Sequence, residues 1–318
     1  MSAPVLAVVD IGSNSIKLLV AAPGPAGGPE LRVLFQETLE TRISGGLGRK
    51  KSTLGEAGLA AGTQAVARLL DMARPYAPTD IRLVATSAVR DAQNRADFAA
   101  RILATTGAPL EILSGDDEAL LIARGLQTDP ALGGAREFCL LDLGGGSLEC
   151  IRFGAGKIAQ AVSLQLGAVR LTEKFSPNPR GPFGDAARTA VAEETRREFS
   201  TSGFQFIPGG RLVGTGGAFT VARAILSTRH GFIAKETWPA EMSREDLAGL
   251  LDEIAPLDAA ARARIPKLTP ERADIMPAAL TTMLALMELA GVARVVHSFH
   301  NLRFGVAARF FAQVRGEG

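Results

Sequence analysis

The chain has 318 residues, enough for two ordinary domains. Hydrophobic residues make up 47% and charged residues 21%, a balance that builds packed cores and excludes a disordered chain. The 35 basic and 33 acidic side chains leave a net charge of +2, too even for a general binder of nucleic acid or membrane surfaces.

Residues 5–9 and 15–21 read as a strand pair joined by a short glycine loop, and Leu31 to Phe35 as a third strand. Gly45 to Lys51 reads as a loop and carries the one basic run, Arg49-Lys50-Lys51. Leu54 to Arg74 has helical periodicity, ended by Pro75. Asp80 to Thr86 reads as a buried strand. A short polar loop and a helix over 95–105 follow, then a strand at 110–113 and a helix from Asp116 to about Arg124.

Gly125 to Arg136, with Asp129-Pro130 and Gly133-Gly134, reads as a linker. The pattern then restarts with strand 138–142, a glycine loop and strand 148–153. Asp185 to Ser200 reads as a helix. Arg211 to Val213 reads as a strand leading into Gly214-Thr215-Gly216-Gly217 and another helix. Pro270 to Ala290 reads as a long buried helix, interrupted at most by Pro277, Val292 to His297 as a strand and Leu302 to Val314 as a closing helix. Such an order predicts a two-domain α/β chain with an internal duplication, its ligand at the strand ends in an interdomain cleft.

No stretch is long and apolar enough for a membrane span, and the apolar run Val5 to Val9 is too short for a signal peptide. Cys139 and Cys150 lie in apolar strand contexts and read as buried thiols rather than a disulfide, as in a reducing cytoplasm. A cytoplasmic protein is expected, with no nucleic-acid and no membrane partner.

The duplicated segments are Asp10-Ile11-Gly12-Ser13-Asn14-Ser15 and Asp142-Leu143-Gly144-Gly145-Gly146-Ser147. Glycine lets a backbone turn tightly enough to aim several N–H groups at one phosphate, and serine or asparagine adds side-chain donors. The aspartate before each turn suits a metal ion that bridges to phosphate oxygens. Asp-x-Gly also closes ordinary hairpins, a reading that two matching copies weaken. Glu149 either points at that metal or lies on a solvated face.

Ser114-Gly115-Asp116-Asp117-Glu118 opens a helix. Capping and the helix dipole explain part of it, while a carboxylate at the helix tip also suits proton removal from water. Arg90, after Thr86-Ser87, suits an anion or pairs with Asp91. Gly216 and Gly217 offer a helix N-terminus to an anion or let a nucleotide base approach. His297 and His300 read as structural histidines.

In this order the segments, with Ala85-Thr-Ser-Ala-Val-Arg90 and Gly214-Thr-Gly-Gly217, resemble the exopolyphosphatase / guanosine pentaphosphate phosphohydrolase family. The resemblance implies two duplicated actin-like (ribonuclease-H-like) domains, 1–125 and 126–301, with the C-terminal helix 302–318 packing back on the first. It implies Glu118 as the base that activates water, and Asp142, Glu149 and, more weakly, Asp10 beside a Mg²⁺ or other divalent cation. It places Ser13, Asn14, Ser15, Gly144, Gly145, Gly146, Ser147, Gly216 and Gly217 at phosphate or substrate, with Arg90 and Arg42 as phosphate arginines. Ala218 stands where the family has threonine, and Ser298-Phe-His-Asn-Leu-Arg303-Phe-Gly305 lacks the family's aspartate and first glycine.

The expected activity is metal-dependent release of terminal orthophosphate from inorganic polyphosphate. Hydrolysis of guanosine pentaphosphate and a non-catalytic polyphosphate or alarmone sensor are the alternatives, and a kinase of the same fold is a fourth. Chain-length preference, processivity and oligomeric state, including a homodimer, stay open at this level.

Overall fold

The structure, a computed structural model, describes residues 3–25, 27–43, 53–132, 137–155, 157–232 and 237–316. The readings of Gly45–Lys51 and of Gly133-Gly134 lie outside these residues. The chain divides into two compact units: Met1–Gly133 with His300–Gly318, and Gly134–Phe299.

Unit 1 is built on five strands: β1 (Leu6–Ile11), β2 (Ser15–Pro23), β3 (Leu31–Glu40), β4 (Asp80–Ala85) and β5 (Leu110–Ile112), in the order β3-β2-β1-β4-β5. β1 to β3 pair antiparallel, while β4 and β5 run parallel to β1. Every residue of β1 is buried, as a strand covered on both faces requires. Ala7, Val9 and Ile11 join a cluster with Leu59, Val66 and Leu69 of α1 (Glu56–Ala73) and with Phe98 and Ile102 of α3 (Arg95–Thr106). Their alternates Leu6, Val8 and Asp10 face the opposite layer. There α11 (Leu302–Arg315) packs on β1 and β2 and against α4 (Gly115–Gln127).

The α4–α11 crossing is glycine-made. A Cβ on Gly305 would lie 1.7 Å from the Leu121 carbonyl oxygen, and one on Gly125 would lie 2.1 Å from that of Asn301. Between β4 and α3 the expected polar loop is a short helix, α2 (Ser87–Arg90).

Unit 2 holds β6 (Phe138–Leu143), β7 (Leu148–Gly154), β8 (Lys157–Leu164), β9 (Arg211–Thr215), β10 (Glu241–Ser243) and β11 (Arg294–His297), in the order β10-β11-β9-β6-β7-β8. Taken from its far edge, β8-β7-β6-β9-β11 repeats β3-β2-β1-β4-β5 strand for strand, with the same parallel and antiparallel senses. β10 is an extra antiparallel edge strand. The duplication seen in two short motifs therefore extends to whole sheets.

α5 (Ala168–Phe175), α6 (Asp185–Thr201), α7 (Gly217–Arg229), α8 (Arg244–Ile254), α9 (Ala259–Arg262) and α10 (Met276–Leu289) complete this unit. The long helix expected from Pro270 starts only at Met276. Pro277 occupies its first turn, where a missing N–H costs nothing. The residues before it turn around Arg262, 1% exposed, which donates to the carbonyls of Gly181, Ile254, Ala255 and Ala273.

Candidate active site

In unit 1 the loop between β1 and β2 closes with the Gly12 N–H donating to the Ser15 carbonyl at 3.1 Å. Its counterpart in unit 2 closes the same way, Gly144 N–H to Ser147 carbonyl at 3.0 Å. Ser13, Asn14 and Ser15 are buried, and the Ser13 hydroxyl lies 3.4 Å from that of Ser87 at the start of α2. The Asn14 amide donates to Glu40 at 2.8 Å. The Asn14 carbonyl accepts from the Thr41 and Arg42 N–H groups at 3.0 and 2.8 Å. Arg42 has φ 45°, a left-handed backbone unusual outside glycine, so its position is set by this latch.

Ser114 caps α4, its hydroxyl accepting from the Asp117 N–H at 3.0 Å and donating to the Asp117 carboxylate at 2.7 Å. Of the three acids in that turn, Asp116 and Asp117 are exposed and Glu118 is buried. Arg90 Nη1 donates to Glu118 Oε2 at 2.8 Å and to the Leu113 carbonyl at 3.1 Å, and Arg90 Nε stands 3.8 Å from Asp91. Arg90 thus stands beside Asp91, as one sequence reading has it, with Glu118 the nearer carboxylate.

Asp10 lies opposite Lys17 in the β1–β2 register. Burial pushes its carboxyl above the ordinary 3.8, and the fields of Lys17 and Arg303 oppose that rise. Burial also pulls the Arg303 guanidinium down to about 10. A raised folded pKa means that the carboxyl's contribution is fully present below 3.8 and lost as pH rises through the folded value. Asp10→Asn should therefore melt above wild type at neutral pH, with the gap closing as pH falls toward 3.8. Thermal melts over that range test it; a lower melting temperature for the variant at neutral pH refutes it.

In unit 2, Asp142 lies directly opposite Glu149 across β6 and β7. Residues so paired point to one face with Cβ atoms about 5 Å apart, and two carboxylates there repel unless a cation joins them. Glu149 is 2% exposed and accepts from the Ser163 hydroxyl at 2.9 Å. Gly216, at φ 98°, leaves no space for a side chain: a Cβ would lie 2.5 Å from Asp142 Oδ1. Beside it, a Cβ on Gly217 would meet the guanidinium of the buried Arg272.

Among the described residues no group of three His, Cys, Asp or Glu side chains comes together as a metal cage. Mg²⁺ needs none; it is held by one or two carboxylates, with phosphate oxygens and waters supplying the rest. Asp142 and Glu149 fit that pattern. Asp10, with cations of the chain already around it, fits it less well.

The second loop is anchored through its carbonyls. Ala168 N–H donates to Gly144 O at 3.0 Å; Val169 and Arg170 N–H donate to Gly145 O at 2.9 and 3.2 Å. Arg170 Nε donates to Gly146 O at 2.8 Å. Neither Arg170 nor Arg272 stood out in the sequence, because each approaches its glycine from a segment distant along the chain. The histidines are tied into the structure: His297 to Thr220 and Arg223, His300 to Thr128. Cys139 and Cys150 are buried free thiols.

Two units with the same sheet order, each with a glycine hairpin at the end of its central strand, define the actin-like class of two-domain α/β proteins. The chain belongs to the Ppx/GppA phosphatase family, which residues 20–311 match. It is 30% identical over 315 residues to exopolyphosphatase 2 of Mycobacterium tuberculosis, covering 95% of this chain and 97% of that one. The fold is shared with an exopolyphosphatase from Cytophaga hutchinsonii, at TM-score 0.85, 21% identity and 99% coverage of each chain. It is shared also with the Aquifex aeolicus member of the Ppx/GppA family, at TM-score 0.79, 22% identity and coverage of 98% of this chain and 99% of that one.

Proposed function

We propose that this protein is an exopolyphosphatase that releases terminal orthophosphate from inorganic polyphosphate. The observation that carries the reading is Glu118. It is the one buried acid of its turn, gripped by Arg90 at 2.8 Å, where a carboxylate spared for surface charge or capping would stay in water. Likeness over nearly the whole chain to a relative named exopolyphosphatase 2 supports the substrate.

Glu118 takes a proton from a water as its oxygen attacks the terminal phosphorus. The bond from that phosphorus to the bridging oxygen breaks, and the chain leaves one phosphate shorter. An incoming phosphate competes for Arg90 and frees the carboxylate to act as base. In unit 1 the phosphate ligands are Ser13, Asn14, Ser15 and Arg42. In unit 2 they are the N–H groups of Gly145, Gly146 and Ser147, with Gly216 and Gly217 supporting them. Asp142 and Glu149 would hold a Mg²⁺ or another divalent cation, whose charge would offset that of the phosphate. Buried thiols without a disulfide suit the cytoplasm.

The deciding experiment offers the purified protein, with and without Mg²⁺, polyphosphates of several lengths and guanosine pentaphosphate, and measures orthophosphate. Mg²⁺-dependent release from polyphosphate is expected. Tight binding with no release marks a sensor instead, and transfer of phosphate from ATP to an acceptor marks a kinase.

A further inference from the structure

A comparison of the two loops yields a residue that neither the family match nor the motifs assign. The third residue of the first loop is Asn14, whose carbonyl is held by the N–H groups of Thr41 and Arg42, just beyond β3. The corresponding residue of the second loop is Gly146. Its carbonyl is held at 2.8 Å by Arg170 Nε, from the segment just beyond β8. The same job is done from the same place in each repeat, by backbone in one and by a guanidinium in the other.

We infer that Arg170 is a positioning residue, which sets the aim of the glycine loop and hence its grip on phosphate. In a trans peptide the C=O and the following N–H point in opposite directions. The carbonyls of Gly144 and Gly145 accept from the first turn of α5, which has only Gly167 at its N-cap and so no capping side chain. The Gly146 carbonyl accepts from Arg170. With all three carbonyls drawn toward α5, the N–H groups of Gly145, Gly146 and Ser147 are turned the other way as a set of anion donors.

The two parts of the anchor divide the work. The N–H groups of α5 satisfy themselves on the loop, so that part forms whatever side chain stands at 170. Only the last peptide, Gly146–Ser147, depends on the Arg170 side chain. Loss of that bond lets this peptide rotate, and the helix stays capped. The main effect falls on anion affinity and then on turnover, with a small cost in stability.

This inference rests on the phosphohydrolase reading, and the test separates the two. Orthophosphate binding to wild type, Arg170→Ala and Arg170→Lys is measured by calorimetry, alongside melting temperature and phosphate release. Arg170→Ala should bind orthophosphate roughly tenfold more weakly, as loss of a charge-assisted hydrogen bond implies, while its melting temperature falls by only a few degrees and the protein stays folded in the binding assay. Guanidinium ion at low millimolar concentration should restore much of that affinity, and Arg170→Lys part of it.

Gly167→Ala attacks the same aim without touching charge, because its Cβ would lie 2.3 Å from the Gly145 carbonyl oxygen. It should mimic Arg170→Ala in binding and resist guanidinium. Wild-type affinity in Arg170→Ala, or a loss that only tracks melting temperature, overturns the inference. A wild-type protein that binds no orthophosphate overturns the phosphohydrolase reading and this one with it.

Discussion

Glu118→Gln is expected to lower kcat about 10²–10⁴-fold, the usual contribution of a general base, while affinity for polyphosphate holds or rises. The direction for binding follows from the Arg90 contact. In the wild-type protein the guanidinium is committed to the Glu118 carboxylate at 2.8 Å, with the Leu113 carbonyl taking the same nitrogen at 3.1 Å. A phosphate must displace that carboxylate. Glutamine still offers an oxygen to Arg90 but no charge, so the guanidinium goes to the phosphate more readily. Loss of a largely buried charge-assisted bond costs the free protein about 1–2 kcal/mol. Steady-state phosphate release and equilibrium binding, measured separately, test the two halves. Wild-type turnover in Glu118→Gln removes Glu118 from the chemistry. A large loss of binding makes it a scaffold for Arg90 rather than a base.

Sequence and structure agree most where the signal is local. The paired Asp-x-Gly hairpins are legible because glycine and serine at those places serve a turn that each loop makes within itself, Gly12 to Ser15 and Gly144 to Ser147. The inward turn of Glu118 also had a local signal. Glu118, Leu121, Ile122 and Gly125 fall at helical spacing on the buried face of α4, which composition alone does not reveal but periodicity does.

Three features stayed hidden for physical reasons. The apolar run at 270–290 continues through Pro277, so only the rule that proline favours a helix's first turn could have moved the start to Met276. β8 carries Lys157, Gln160 and Ser163 on an edge strand, and its polarity masks its pairing with β7. Arg170, Arg272 and Arg303 act through contacts far along the chain, with Arg303 Nη1 reaching the Leu18 carbonyl at 2.7 Å. No window of sequence holds both ends of such a contact.

Gly305→Ala is expected to be strongly destabilising, and the sign of its effect is the informative part. Alanine in a helix interior normally gains up to about 1 kcal/mol over glycine. Gly249 of α8 provides the control: it is exposed, and a Cβ there meets nothing within 4 Å. Gly249→Ala should therefore raise stability by about 0.5–1 kcal/mol. At Gly305 the added methyl would sit 1.7 Å from the Leu121 carbonyl oxygen, a backbone atom of α4 that no side-chain rotation can clear. The helices must separate. α11 then loses its seat against β1 and β2, where Phe304 and Phe311 are buried and Arg303 reaches the strand behind the first loop. Overpacking alone costs 1–3 kcal/mol; with a displaced helix the loss should exceed about 3 kcal/mol, roughly a 10 °C fall in melting temperature for a unit of this size. Urea unfolding of the two alanine variants against wild type decides the matter. Should both substitutions stabilise, α4 and α11 do not cross at their glycines, and the C-terminal helix does not anchor the sheet that carries the first glycine loop.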